Sequence, residues 1–165
     1  PPADGGGRVL VEQRPGKHEY GDEQPHRSRL RAELLWSVLM PGDFSGGLAD
    51  IEWTVQLLQL QHAAAFEELR TTGTLPALSA AQDAGLLRAD DVETLAHAWR
   101  LATASRNAIV LVRGRADDTL PKDRRDLASV ARLVGYPAGG SEEFVEDYRR
   151  ATRRARAVVE RVFYQ

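Results

Sequence analysis

The stretch Leu48-Ala49-Asp50-Ile51-Glu52-Trp53-Thr54-Val55-Gln56-Leu57-Leu58-Gln59-Leu60-Gln61-His62-Ala63-Ala64 decides the fold. At about 100° per residue it resolves into two apolar stripes on roughly opposite sides of a helix. Leu48, Ile51, Val55 and Leu58 form one; Trp53, Leu57, Leu60 and Ala64 form the other. Two polar lanes separate them, Asp50, Thr54 and Gln61 on one side and Glu52, Gln56 and Gln59 on the other. A helix with two apolar stripes is packed on both sides. Its polar lanes are then either narrow solvent strips or buried hydrogen-bond networks. A structural role has Glu52 pairing an arginine of a neighbouring helix; a functional role places a lane at a domain interface or cleft edge.

Outward from this helix, which starts after Gly46-Gly47 and runs to about Ala65, the same periodicity continues. Helices are predicted from Thr74 to Ala84, closed by Gly85, and from an N-cap at Asp90 to Arg113, closed by Gly114. Two more run from an N-cap at Asp123 to Val134, closed by Gly135, and from Ser141 to Phe163, with Glu142 and Glu143 in the first turn. Upstream, Leu30, Leu34, Leu35 and Val38 fit a helix from His26 that Pro41-Gly42 stops. The run Ala108-Ile109-Val110-Leu111-Val112 could be a buried strand. No breaker divides it from the pattern of Val92, Leu95, Trp99 and Ala102, so it belongs to a helix that should lie centrally. The expectation is an all-α, six-helix bundle with a long central helix. Residues 1–44 form a Gly/Pro-rich arm or linker with one short helix, and residues 45–165 form the helical domain.

Composition narrows the function classes. A chain of 165 residues can bury roughly two-thirds of its unfolded surface, enough for one domain. A net charge of −2 argues against a nucleic-acid or anionic-membrane binder. There is no apolar run of about 18 residues and no signal-peptide pattern, so a cytoplasmic protein is expected. The absence of cysteine removes disulfides, thiol chemistry and Cys-ligated zinc. The chain starts at Pro1 rather than methionine, which suggests a piece of something longer.

Few residues offer chemistry. Asp50 and Glu52 would share a face on a strand, but on a helix they diverge by about 200° and are unsuited to one Mg²⁺. Gly5-Gly6-Gly7 has no strand–helix context for a phosphate loop. His18, His26, His62 and His97 lack zinc spacing, so no metal site is expected, and His62 reads as a half-buried packing residue. No catalytic residue is identified. Arg106 and Arg113 share a helix face with Trp99 and Ile109, as ion-pair partners or as contacts for a carboxylate such as Glu52. On the last helix Phe144, Tyr148, Ala151, Ala155, Val158 and Val162 form a core stripe, opposite Arg149, Arg150, Arg153, Arg154 and Arg156. Such an arginine face is either solvated or a docking surface for an acidic partner, with Arg150 and Arg154 the candidate contacts.

The string from Gly46 to Ala63 resembles the signature of the helical domain that follows each nucleotidyltransferase domain in glutamine-synthetase adenylyltransferase; the PII uridylyltransferase carries a distant version. Ala98-Trp99-Arg100-Leu101, Val112-Arg113-Gly114-Arg115, Leu133-Val134-Gly135-Tyr136 and Tyr148-Arg149-Arg150 follow in the matching order. Arg106-Asn107 and the run from Arg156 to Arg161 are similar to the C-terminal half of the actinobacterial type. The likeness covers about residues 45–165. It departs at Pro41-Gly42-Asp43-Phe44-Ser45, where the family has a basic Lys-Leu-Gly-type stretch.

The resemblance implies a parent that transfers AMP from ATP to a tyrosine of glutamine synthetase and reverses the transfer. ATP and Mg²⁺ would bind the preceding nucleotidyltransferase domain, and no cofactor is expected on this chain. Asp50, Glu52, Gln56 and Gln59 would hold the helical domain against the catalytic domain or line the cleft between them. Glutamine synthetase and the PII signalling protein are the implied partners. A free-standing module docking an acidic partner through the arginine face is the alternative. A helix-turn-helix DNA binder is disfavoured by charge.

Overall fold

A computed structural model describes residues 47–163 except 116 and 118. The expected arm of residues 1–44, with its helix over 26–40, lies outside the described residues. Among those described, all regular structure is helical: α1 (Leu48–His62), a 3-10 turn (Glu67–Leu69), α2 (Thr74–Asp83), α3 (Ala89–Arg113), α4 (Arg124–Val134) and α5 (Ser141–Phe163).

The helix ends follow local chemistry. Asp123 caps α4, its Oδ1 accepting from the backbone N–H groups of Arg125 and Asp126 at 2.9 Å each. Gly135 closes the same helix at φ 109°, with Tyr136 N–H bonded to Ala131 O and Gly135 N–H to Arg132 O. That is a Schellman arrangement, and its left-handed residue is where a side chain would be strained. The capping expectation at Asp90 is corrected. α3 begins two residues earlier than that cap implies, with Arg88 at the N-cap position, so Asp90 and Asp91 both sit in the first turn. There they complement the helix dipole.

α3 is the 25-residue axis of the bundle and packs against all four other helices. α5 runs antiparallel to it: Phe144 packs beside Ala108 and Ile109, and Arg161 meets Asp91 at the other end. Two apolar clusters lie along this pair. The larger joins α1, α2, the first half of α3 and the second half of α5 around Ile51, Leu69, Leu78, Leu95 and Ala155. The smaller joins the end of α3, α4 and the start of α5 around Ile109, Val130 and Phe144. Phe144 is fully buried between Tyr136 and Tyr148, with ring centroids 5.3 and 6.2 Å away in tilted and edge-on arrangements. The small residues Ala98, Ala102, Ala151 and Ala155 on α3 and α5 are all buried.

Two packing expectations fail. Ala108 and Ile109 are buried, but Val110 is 39% and Leu111 76% exposed, so the end of α3 is not covered all round. On α1 Ile51, Val55 and Leu58 of the first stripe are buried and Leu48 is half-buried, while Trp53 (38%) and Leu60 (82%) of the second face outward. α1 is therefore packed on one side only by the described residues. Helical periodicity identifies an apolar stripe but not whether a neighbour covers it.

Candidate functional site

The signature residues of α1 separate according to the side of the helix they occupy. Asp50, in the first turn, is buried, and its carbonyl accepts the Thr54 hydroxyl at 2.8 Å. Thr54 is fully buried, so this lane belongs to the core, while Gln61 at its far end is exposed.

The second lane divides. Gln59 donates through Nε2 to the carbonyls of Leu69 and Thr71, both at 2.7 Å. It ties α1 to the chain that turns back toward α2, a turn also held by Arg70 Nε donating to Ala63 O at 2.9 Å. Glu52 and Gln56 stay exposed beside Trp53 and Leu60. Glu52 Oε1 accepts from Trp99 Nε1 at 3.5 Å, a long bond that leaves the carboxylate open to other donors.

The arginines part company too. Arg113 reaches not Glu52 but Asp126 through Nε and Asp117 through Nη1, both at 3.1 Å. Asp117 Oδ1 in turn accepts the Thr119 N–H at 3.0 Å and its hydroxyl at 2.8 Å. The two Thr119 bonds, aided by Arg113 and Arg115, hold the Asp117 carboxyl below its ordinary pKa. Arg113 thus fastens the end of α3 to the start of α4. Arg106 is exposed on α3, on a stripe shared by Trp99, Thr103 and Val110. Thr103 Oγ1 on that stripe is buried without a hydrogen-bond partner among the described residues.

On α5 the five arginines predicted to face outward are all exposed. Three pair within the helix: Arg149 with Glu146 (3.6 Å), Arg150 with Asp147 (3.3 Å) and Arg156 with Glu160 (2.8 Å). Arg150 and Arg154 border a shallow groove of about 400 Å³, across which α3 presents Asp90, Glu93, Thr94 and His97. The groove carries both signs of charge. No group of three or more His, Asp or Glu suited to a metal ion occurs among the described residues, and no described helix is long and apolar enough to cross a membrane.

Two polar clusters escaped the sequence reading. Asp91 is buried and binds both Arg88, at 3.0 Å through Nε, and Arg161. Its neighbour Asp90 carried the capping signal, and the Arg161 partner lies far away in sequence. Tyr136 donates its hydroxyl to Asp147 Oδ2 at 3.0 Å. Burial, followed by that bond and the Asp147 charge, pushes the phenol up to about 12.

The family profile described as GlnD PII-uridylyltransferase matches residues 43–165. The chain is 60% identical over 119 residues to the bifunctional glutamine synthetase adenylyltransferase/adenylyl-removing enzyme of Streptomyces avermitilis, covering 72% of this chain and 12% of the relative. It is 58% identical over 119 residues to the like-named enzyme of Nocardia farcinica, with the same coverage. With that of Mycobacterium avium it shares 54% over 141 residues, 83% of this chain and 14% of the relative. The chain spans only about an eighth of the length of these relatives, as the 12% and 14% shares state. A profile match that takes in the whole described helical bundle decides the assignment: the chain belongs to the GlnD PII-uridylyltransferase family.

Proposed function

We propose that this chain is a non-catalytic helical domain of an adenylyltransferase that transfers AMP from ATP to a tyrosine of glutamine synthetase and reverses the transfer, regulating nitrogen assimilation. The names of its relatives support the reaction. The observation that carries the domain's role is the outward flank of α1, where Glu52 and Gln56 stand exposed while the opposite face of the helix is buried. A polar pair on a rigid helix, beside an exposed tryptophan, suits contact with a neighbouring domain. Trp99 anchors the flank, and Arg106 with the unpaired Thr103 hydroxyl extends it along α3.

In this reading residues 45–165 are the domain. Asp50 and Gln59 hold α1 in place, and Glu52 and Gln56 meet the preceding nucleotidyltransferase domain. ATP and Mg²⁺ belong to that domain, and the location is cytoplasmic. Glutamine synthetase is the substrate protein, and the PII signalling protein is a further partner. The alternative, an interaction module docking through the α5 arginines, is less well supported because Arg149, Arg150 and Arg156 already have acidic partners on their own helix.

Calorimetric titration of the chain with Mg-ATP tests the non-catalytic assignment. No heat of tight binding is expected, and a saturable micromolar isotherm would reject it.

A further inference from the structure

Asp90 and Glu93 of α3 and Arg150 and Arg154 of α5 are exposed along one groove of about 400 Å³. Among the described residues no ion pair joins these acids to these arginines. The antiparallel register explains why. Arg161 meets Asp91 and Phe144 packs beside Ala108 and Ile109, which sets Arg154 about level with Ala98 and Arg150 about level with Ala102. Side chains on a helix lean toward its N-terminus, so the acids of α3 and the arginines of α5 lean apart. At about 1.5 Å per residue the acidic and basic ends lie about 8–18 Å apart along the groove. The rest of the lining is Thr94, His97, Ala151 and Asp147, and Asp147 is already taken by Arg150 and the Tyr136 hydroxyl.

That spacing narrows what can fill the groove. An α-amino acid carries both charges on one carbon and is too short to reach both ends. A second copy of this chain has the same two ends at the same separation. A two-fold axis lying across the line from the acidic end to the basic end exchanges them, so each end meets its opposite. This is the self-complementarity that a two-fold interface requires. A net charge of −2 leaves little general repulsion between copies.

We propose that two copies of this chain associate about such an axis through the α3–α5 groove, with Asp90 and Glu93 of each copy against Arg150 and Arg154 of the other. Exposed ion pairs are individually weak and screened by salt, so the dimer is weak and forms when the protein is concentrated. Asp90, Thr94 and His97 lie on the opposite side of α3 from Trp99, so the flank of Glu52 and Gln56 stays open in the dimer. The proposal goes beyond the adenylyltransferase reading and does not depend on it.

Sedimentation equilibrium of the full 165-residue chain, loaded up to about 1 mM, reads the association directly. A monomer–dimer equilibrium is expected in about 20 mM NaCl, weakened by about tenfold or more in about 0.5 M NaCl. Arg154→Glu or Glu93→Arg alone should each weaken it by about tenfold or more, because like charges then face each other. The two variants mixed together should form a dimer at about wild-type strength, since each supplies the charge the other needs. Glu93→Arg and Arg154→Glu in one chain should do the same. Both positions are exposed, so the helical circular dichroism should not change. A chain that stays monomeric at every concentration would overturn the proposal. So would a dimer indifferent to salt or to the single reversals, or one restored by neither combination. Assembly beyond the dimer would count against it equally, because a two-fold contact closes.

Discussion

Arg161, in the last turn of α5, binds Oδ1 of the buried Asp91 carboxylate in the first turn of α3, and Arg88 donates to both oxygens of the same carboxylate. Seventy residues separate the Asp91–Arg161 pair, which fastens the two long helices at one end as the Phe144 cluster does at the other. Asp91→Ala should cost about 1–3 kcal/mol, since it removes charge-assisted bonds and leaves a half-exposed Arg161 that water can reach. Urea unfolding followed at 222 nm reads the change as a lower midpoint with an unaltered slope.

Gln59 spans from α1 to the turn before α2 through two short amide bonds. Gln59→Glu should be more damaging than Gln59→Ala, because a carboxylate cannot donate to the Leu69 and Thr71 carbonyls and would instead repel them. A loss of about 1–2 kcal/mol is expected for the alanine variant. Faster amide exchange should concentrate in residues 66–73. An even loss across all helices would show that Gln59 acts otherwise.

Tyr136 gives the molecule an alkaline signature. Its folded-state phenol lies near 12, above the ordinary 10.0, so the folded form keeps its proton after the unfolded form has lost it. The stabilisation is complete below pH 10 and is lost as pH rises toward 12. Tyr136→Phe should therefore flatten the fall of stability across that window. Absorbance titration at 295 nm should show one late-titrating tyrosine in the native protein that disappears in the variant.

At the acid end the sign reverses. Backbone bonds from Asp126 and Arg125 hold Asp123 below its ordinary 3.8, as Thr119 does for Asp117. Both contribute stability above pH 3.8 that is lost as pH falls through their lower folded values. Asp123→Ala should lower the melting temperature at pH 7, and Asp123→Asn should recover most of it through the same cap. The difference between wild type and Asp123→Asn should narrow as pH falls through the lowered folded value of Asp123, since protonation leaves both caps neutral.

The helices were legible because their ends carry distinct chemistry. Asp123, Gly114 and Gly135 stop or start helices for reasons that involve only near neighbours. The core stripe of α5 was legible too, since Phe144, Ala151, Ala155 and Val158 recur at helical intervals on one face of the 23-residue helix. Coverage was not. Leu60 and Leu58 are chemically alike, yet one is 82% and the other 5% exposed, and only tertiary packing separates them. In the candidate site, Gln59 and Gln56 carried the same signal in sequence. The turn carbonyls that claim Gln59 are 10 and 12 residues away and became visible only in three dimensions.

We propose that this chain supports adenylyl transfer without performing it. The direct test is transfer of labelled AMP from ATP to glutamine synthetase, with the chain alone and with a separately produced nucleotidyltransferase domain of an actinobacterial relative added. No label is expected with the chain alone; transfer is expected when both pieces are present, and its loss with Glu52→Arg and Gln56→Arg. Label incorporated by the chain alone, or transfer that is indifferent to its addition, would contradict it.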